Sequence, residues 1–394
     1  MNNLRLLCLI EGYSSLSEAN AICLNHIVEC WEKDGLSIDI VSIEKEKCKN
    51  KKGVINCTIS SYGKIRKLKR KISKLIWMPI GRPEVIDVYQ RNILRLISNN
   101  EYDAIIAIVN PIEAAEALKR VKRKYSNIKT ILYEIDPSSN RYKTPETILQ
   151  KIWCYRSKIW ERRIYRTVDF IIHMETHKEH FSKQFYKEFQ SKTVYLDIPS
   201  FEVQKWEQVY RINKNCLSFI YAGAFYPKLR NPSRMIELLK KLSEKTNIIV
   251  KIYTNSKGIN IQRMIGNNSF IKIYSYIPQE MLTEEIKKSD ILLDLGNHNS
   301  DFLASKTIQY ISSGKPIIHF YSSSDDVSNK YYKSYDNCLL VDQRKNDQII
   351  LSEMIQFLDK LPLEIYPDYI YLKKKYIRNT PDYSAQRIME LVMK

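Results

Sequence analysis

The sequence predicts an α/β protein of two doubly wound domains with C-terminal helices, and three observations predict it. Short apolar runs alternate with longer helical patterns along the chain. The alternation restarts near residue 217, after a polar and weakly patterned stretch. At 394 residues the chain exceeds one ordinary core, so two domains are expected. Strand–helix alternation favours parallel sheets covered on both faces.

In the first unit, residues 4–10 (LRLLCLI), apolar but for Arg5, read as a buried strand. Residues 18–34 follow with helical spacing and stop at Gly35. Further strands are read at 38–43, 102–109, 128–135, 168–173 and 194–198, with helices near 113–123 and 148–166. Residues 201–215 read as a linker. The second unit carries strands at 217–221, 247–253, 270–273, 291–295, 316–320 and 338–341, a helix at 235–244, and terminal helices at 372–378 and 384–393. The expected organisation is therefore 1–200, 201–215, 216–371 and 372–394, the last with the option of packing back on the first domain. Two such units would face a shared cleft at their strand ends, where ligands of doubly wound sheets bind.

Lys and Arg number 63 against 44 Asp and Glu, a formal charge of +19. That balance points to a polyanionic partner, be it phosphorylated substrate, acidic lipid or nucleic acid. No nucleic-acid module is present, so nucleic acid is not expected. The N-terminal residues lack the apolar core and cleavage site of a signal peptide, and no stretch approaches the about 20 apolar residues of a membrane span. A cytoplasmic protein is expected, peripheral at most. The eight cysteines include no Cys-x-x-Cys pair and read as free thiols.

The most informative stretch runs from Asp301 to Ile318. Ser305 is read as an N-cap, Gly314 as a helix stop, and Pro316 as the opening of a strand. A helix N-terminus beside Lys306 suits a diphosphate; an ordinary capped helix with a solvated lysine fits the same residues.

The pattern Ser305-Lys306-x-x-Gln309-Tyr310-x-x-x-Gly314-Lys315-Pro316 resembles the Ser-Lys-x-x-Glu-Tyr-x-x-x-Gly-Lys-Pro signature of GT-B glycosyltransferases similar to family 4. Upstream, Phe219 to Gly223 resembles the strand-plus-glycine that opens the donor domain of that family. Val250 to Thr254 resembles the strand ending beside the nucleotide, Tyr276-Ile277-Pro278 the loop over the base, and Ser289 to Leu293 the strand before the sugar-contacting loop. The resemblance covers most of residues 217–320. It implies two Rossmann-like domains in the GT-B arrangement, a nucleotide-sugar donor, a glycan or lipid-linked acceptor, a role in cell-surface polysaccharide synthesis, and no bound metal or other cofactor.

The family pairs two glutamates at the positions of Asp301 and Gln309, the first toward the donor sugar and the second on the ribose hydroxyls. Both positions differ here: Gln309 can hydrogen-bond without charge, and Asp301 keeps a carboxylate on a shorter arm. Lys228 and Arg230 stand where the family clamps the diphosphate, and Gly12 and Ser14 where its first-domain loop faces the phosphates. Asp136 either caps its turn or faces the reaction centre. Glu175 or His177 would face the acceptor. His173, His177 and His180 lack the spacing of a zinc motif. Two rival classes remain: a non-catalytic GT-B-like sugar or nucleotide binder, and a basic nucleic-acid-binding protein.

Residues 64–77 carry the densest charge. Ile65, Leu68, Ile72, Leu75 and Ile76 recur at helical spacing among Arg66, Lys67, Lys69, Arg70, Lys71 and Lys74, with Trp77 at the end. An amphipathic helix of this kind suits an anionic membrane surface; a surface helix packed on its own domain is the alternative.

Overall fold

The computed structural model describes residues 4–16, 19–48, 51–58, 82–109, 112–202, 206–255 and 261–394. The basic segment 64–77, with Lys67, Arg70, Lys71, Lys74 and Trp77, lies outside the described residues. The chain divides into two compact units, Met1–Ser200 with Arg378–Lys394, and Phe201–Ile377. The expected two-domain α/β fold of GT-B type is the fold observed.

The first unit is a seven-stranded parallel sheet in the order β3-β2-β1-β4-β5-β6-β7. Its strands are β1 Arg5–Glu11, β2 Ser37–Glu44, β3 Val54–Thr58, β4 Ala104–Val109, β5 Lys129–Glu134, β6 Phe170–Met174 and β7 Thr193–Leu196. Every residue of β4 is buried, as a central strand covered on both faces requires. Helices Ala19–Lys33, Pro83–Asn99, Ile112–Lys124 and Ile148–Tyr165 intervene. Helix Pro83–Asn99 and β3 are absent from the sequence reading. The helix nonetheless has a proline in its first turn and buries Val85, Ile86, Tyr89 and Ile93 at helical spacing. The last helix, Pro381–Met393, belongs to this unit, where Trp31 Nε1 donates to the Ala385 carbonyl at 3.2 Å.

The second unit is a six-stranded parallel sheet in the order β11-β10-β9-β12-β13-β14. In chain order, β8 is Tyr210–Arg211, β9 Leu217–Ala222, β10 Ile248–Tyr253, β11 Ile271–Tyr274, β12 Ile291–Leu295, β13 Ile317–Tyr321, β14 Cys338–Asp342 and β15 Glu364–Ile365. β8 and β15 form a separate antiparallel pair. Within the stretch read as a linker, Trp206 and Tyr210–Arg211 pack in this unit: β8 pairs with β15, and Trp206 Nε1 donates to Ser312 Oγ at 3.2 Å. The helix read at 372–378 is Tyr369–Lys375. It starts earlier because Asp368 accepts from the Tyr371 N–H and caps it. All eight cysteines are free thiols.

Candidate functional site

In the second unit β9 and β12 are neighbours, but the chain leaves β9 toward β10 and leaves β12 toward β13. The loops after these two strands diverge and open a crevice at the carboxyl ends of the sheet, the switch point where doubly wound folds take ligands. Short bonds join the loops. The His298 N–H donates to the Leu229 carbonyl at 2.7 Å, and Arg230 donates through Nη2 and Nε to Asn297 Oδ1 at 2.8 and 3.1 Å. A pocket of about 350 Å³ lies here, with Lys228, Arg234, Gly296, His298, Ser322 and Arg344 in its walls. Arg234 is paired with Asp347 and Glu237, and Arg344 with Asp342. Among the described residues Lys228 makes no ion pair, so its charge is available to an anion. Arg230, expected beside Lys228 as a phosphate clamp, instead turns its guanidinium to Asn297.

A buried ionic cluster lies beneath the crevice. Asp294 on β12 and His319 on β13 are register partners, with His319 Nδ1 and Asp294 Oδ2 2.8 Å apart. Asp326 Oδ2 lies 3.7 Å from His319 Nε2. Burial would push the imidazole down, but the two carboxylates outweigh it and raise His319 to about 9. The ring is therefore an imidazolium at neutral pH. Burial acts to raise Asp294, yet the hydrogen bond and charge of His319 and the charge of Arg230 hold it below the usual carboxylate range. Gly296 rests on this cluster: a Cβ there would lie 1.6 Å from Asp326 Oδ2, so no side chain fits. The sequence reading missed His319, Asp294 and Asp326. Asp294 and His319 are lone polar residues inside apolar strand runs and Asp326 lies in the polar loop after β13; separated by 25 and 7 positions, they carry no recognisable spacing.

Helix Ser305–Ser312 begins beside the same loops. Its N-cap is Ala304, not Ser305, and no side chain caps it. The correction matters, because a helix end without a capping oxygen leaves its first-turn N–H groups to an anion. Lys306 is half-buried and makes no hydrogen bond or ion pair among the described residues. Burial pushes its ammonium down to about 8, opposed by the charge of Asp294 and assisted by that of Arg230. Gln309 is also half-buried on this helix. Tyr310 positions the helix under β9, its hydroxyl accepting the Ala222 N–H at 3.2 Å.

Gly314 ends the helix with φ +74°, and a Cβ there would stand 2.3 Å from the Pro367 Cβ. Lys315 is buried. Its Nζ donates to the carbonyls of Lys287, at 2.7 Å, and Ser289, and lies 4.0 Å from the Tyr210 ring centroid. The lysine after the glycine thus ties off helix Gln279–Lys288 rather than reaching a ligand.

The remaining expected residues are scattered over strand ends. Gly223 follows β9, and its N–H donates to the Tyr253 carbonyl at 3.0 Å. Thr254, Tyr276 and Ile277 follow β10 and β11, on the other half of the sheet from β13 and β14, and do not line the pocket. Asp301 is half-buried in the loop after β12.

In the first unit Gly12 turns the chain after β1 with φ +77°, its N–H donating to the Ile43 carbonyl at 2.9 Å. Ser14 Oγ donates to Asn56 Oδ1 at 2.7 Å. Asp136 follows β5, and burial pushes its carboxyl up to about 6. Glu175 follows β6 and is held by Arg378 Nη2 at 2.8 Å. The three histidines diverge. His173 stacks on Phe181, His177 Nδ1 bonds Asn140, and His180 Nε2 bonds Ser139 Oγ at 2.9 Å. Behind them two carboxyls are fully buried: Glu134 accepts from Tyr165, and Glu161 from the Ser139 N–H and from Tyr186.

No protein-family model matches the chain, and no curated protein matches it in sequence. Solved structures do match in fold. The lipopolysaccharide outer core galactosyltransferase WaaB aligns over 99% of both chains with a TM-score of 0.60 and 10% identity. A UDP-forming α,α-trehalose-phosphate synthase from Burkholderia xenovorans, in complex with glucose-6-phosphate, aligns over 99% of this chain and 100% of its own, with a TM-score of 0.66 and 8% identity. Anabaena HepE, in complex with UDP and glucose, aligns over 99% of both chains with a TM-score of 0.61 and 10% identity. At such identities the likeness establishes the fold.

Proposed function

We propose that this chain is a glycosyltransferase that takes a nucleotide sugar as donor, with the diphosphate bound in the second unit. The observation that carries this reading is the uncapped N-terminus of helix Ser305–Ser312, with the half-buried Lys306 in its first turn, at the switch point of a parallel sheet. In transfer, an acceptor oxygen forms a bond to the anomeric carbon while the bond from that carbon to the diphosphate oxygen breaks. Negative charge then develops on the leaving phosphate. The helix end and Lys306, with Lys228 in support, are suited to take that charge up, because they favour the dianionic terminal phosphate of the product over the monoanionic sugar phosphodiester it comes from. Gln309 would hold the ribose and Asp301 the donor sugar. Asp136, raised toward neutrality, suits the acceptor proton, and Glu175 is its neighbour at the next strand end. The reaction as written needs no metal.

WaaB, a lipopolysaccharide outer core galactosyltransferase of the same fold, supports a cell-surface glycan or lipid-linked acceptor, and the basic segment 64–77 supports work at an anionic membrane surface. No helix among the described residues is long and apolar enough to cross a membrane. Gln309 in place of the glutamate of the resembled family favours one second reading, nucleotide-sugar binding without transfer.

A thermal-shift and turnover series separates the readings. Stabilisation by UDP or another nucleoside diphosphate, but by no nucleoside alone, supports the donor site. Release of nucleoside diphosphate from a nucleotide sugar in the presence of a glycan acceptor, insensitive to chelator, supports transfer. Binding without release selects the second reading. No stabilisation by any nucleoside diphosphate overturns both.

A further inference from the structure

Asp136, the group suited to the acceptor proton, is half-buried, and its carboxyl makes no hydrogen bond or ion pair among the described residues. A side chain without a partner takes its position from the backbone that carries it. That backbone is the end of β5, at Glu134, followed by Pro137 and the single 3-10 turn Ser138–Asn140. So short a turn makes too few internal bonds to hold itself.

One helix face grips this segment on both sides of Asp136. Glu161 and Tyr165 stand one turn apart on helix Ile148–Tyr165 and are both buried. Before Asp136, the Tyr165 hydroxyl donates to Glu134 Oε2. After it, the Ser139 N–H donates to Glu161 Oε1 at 2.8 Å. Trp153, on the same face, donates through Nε1 to the Ser138 carbonyl at 3.3 Å. The residues that follow β6 close the grip. Tyr186 donates to Glu161 Oε2 at 2.6 Å or to Ser139 Oγ at 3.0 Å; His180 Nε2 lies 2.9 Å from Ser139 Oγ, and His177 Nδ1 lies 2.8 Å from Asn140 Nδ2.

Glu161 shows that this grip has a purpose beyond filling the core. Glutamates are almost never fully buried unless paired, because a carboxyl taken out of water must replace the hydrogen bonds it loses. Glu161 is fully buried and makes no ion pair among the described residues. Its partners are Ser139 and Tyr186, and Tyr186 itself reaches Ser139. The whole polar capacity of a buried acid is thus directed at the turn that carries Asp136. A carboxyl that must meet an acceptor hydroxyl at hydrogen-bond distance needs a backbone fixed to that degree.

We propose that Glu161 and Tyr165, with Tyr186, His180 and His177 behind them, are positioning residues that hold the Asp136 carboxyl in place for deprotonation of the acceptor. The inference rests on the reading of Asp136 as the acceptor-side base and adds the residues through which that base is aimed.

The test is a double-mutant cycle in steady-state kinetics, run with the nucleotide sugar and glycan acceptor that give turnover with the parent. Glu161→Ala and the nearly isosteric Tyr186→Phe should each lower kcat by about ten- to a hundredfold, with nucleoside diphosphate affinity unchanged. Glu161→Gln keeps an oxygen for the Ser139 N–H and should recover most of the loss. Because the effect runs through Asp136, adding either change to Asp136→Asn should lower kcat no further. Deuterium exchange over residues 136–141 should quicken in Glu161→Ala and Tyr186→Phe and slow again in Glu161→Gln. If Asp136→Asn lowers kcat while Glu161→Ala and Tyr186→Phe turn over as the parent does, the inference is overturned and Asp136 keeps its role. Losses that multiply in the double variants also overturn it, since the network then supports the fold alone. An Asp136→Asn variant with the parent's kcat, or a parent that binds nucleoside diphosphate and never turns over, removes the base itself and the inference with it.

Discussion

The assignment of Lys306 to the leaving diphosphate makes a quantitative prediction about pH. In the unliganded protein its ammonium titrates at about 8, lowered chiefly by burial. The cation is thus nearly complete at pH 7 and mostly lost at pH 9. If the diphosphate binds only the protonated form, the apparent Kd scales with one plus ten to the power (pH − 8), which rises about tenfold between pH 7 and pH 9, or about 1.4 kcal/mol. Removing the side chain as Lys306→Met should cost a charge-assisted hydrogen bond, about 1.5–3 kcal/mol or roughly ten- to 150-fold in diphosphate affinity, and should also flatten the pH profile. Calorimetric titration with UDP and uridine at both pH values reads this directly. The ratio of the two affinities cancels any ionisation of the base. A Lys306→Met variant that weakens UDP and uridine equally, or that keeps the tenfold pH dependence of the parent, would refute the placement of the phosphate.

Three further predictions concern the scaffold of the site. Gly314→Ala forces a side chain into positive φ and onto Pro367, and should destabilise the second unit by about 2 kcal/mol or more in urea denaturation. His319 is raised from 6.5 to about 9, so its contribution is complete below pH 6.5 and is lost as pH rises through 9; His319→Gln leaves Asp294 and Asp326 uncompensated and should cost about 3–5 kcal/mol at pH 7, with the penalty shrinking above pH 9 in a pH series of thermal melts. Glu161 is raised by burial from 4.5 to about 7, so the native state holds the extra proton and stability falls as pH rises across that window; Glu161→Gln should abolish that part of the decline, seen as a parent-minus-variant difference in chemical denaturation at pH 4.5 and 7.5.

Read by itself, the sequence determined the fold class, most strands to within two residues, and the helix stop at Gly314. These are local or periodic properties: an apolar run that must be buried on both faces, a 3.6-residue repeat, a residue that alone tolerates positive φ. It also placed Lys306 on the first turn of a helix after a strand. Tertiary structure decided what no local pattern encodes. Capping turned on one residue, because the chain enters helix Ser305–Ser312 through Ala304 rather than Ser305, which opens the helix end to an anion. Arg230 looks from the sequence like a free cation at a ligand site, yet it bridges two loops through Asn297. The ion cluster of Asp294, His319 and Asp326 exists only because β12 lies beside β13 in register, and Glu161 and Tyr165 reach the two flanks of Asp136 only because helix Ile148–Tyr165 packs against the end of β5. A side chain's type sets what it can do; the partners that sheet order and packing bring to it, often tens of residues away, select which of those things it does.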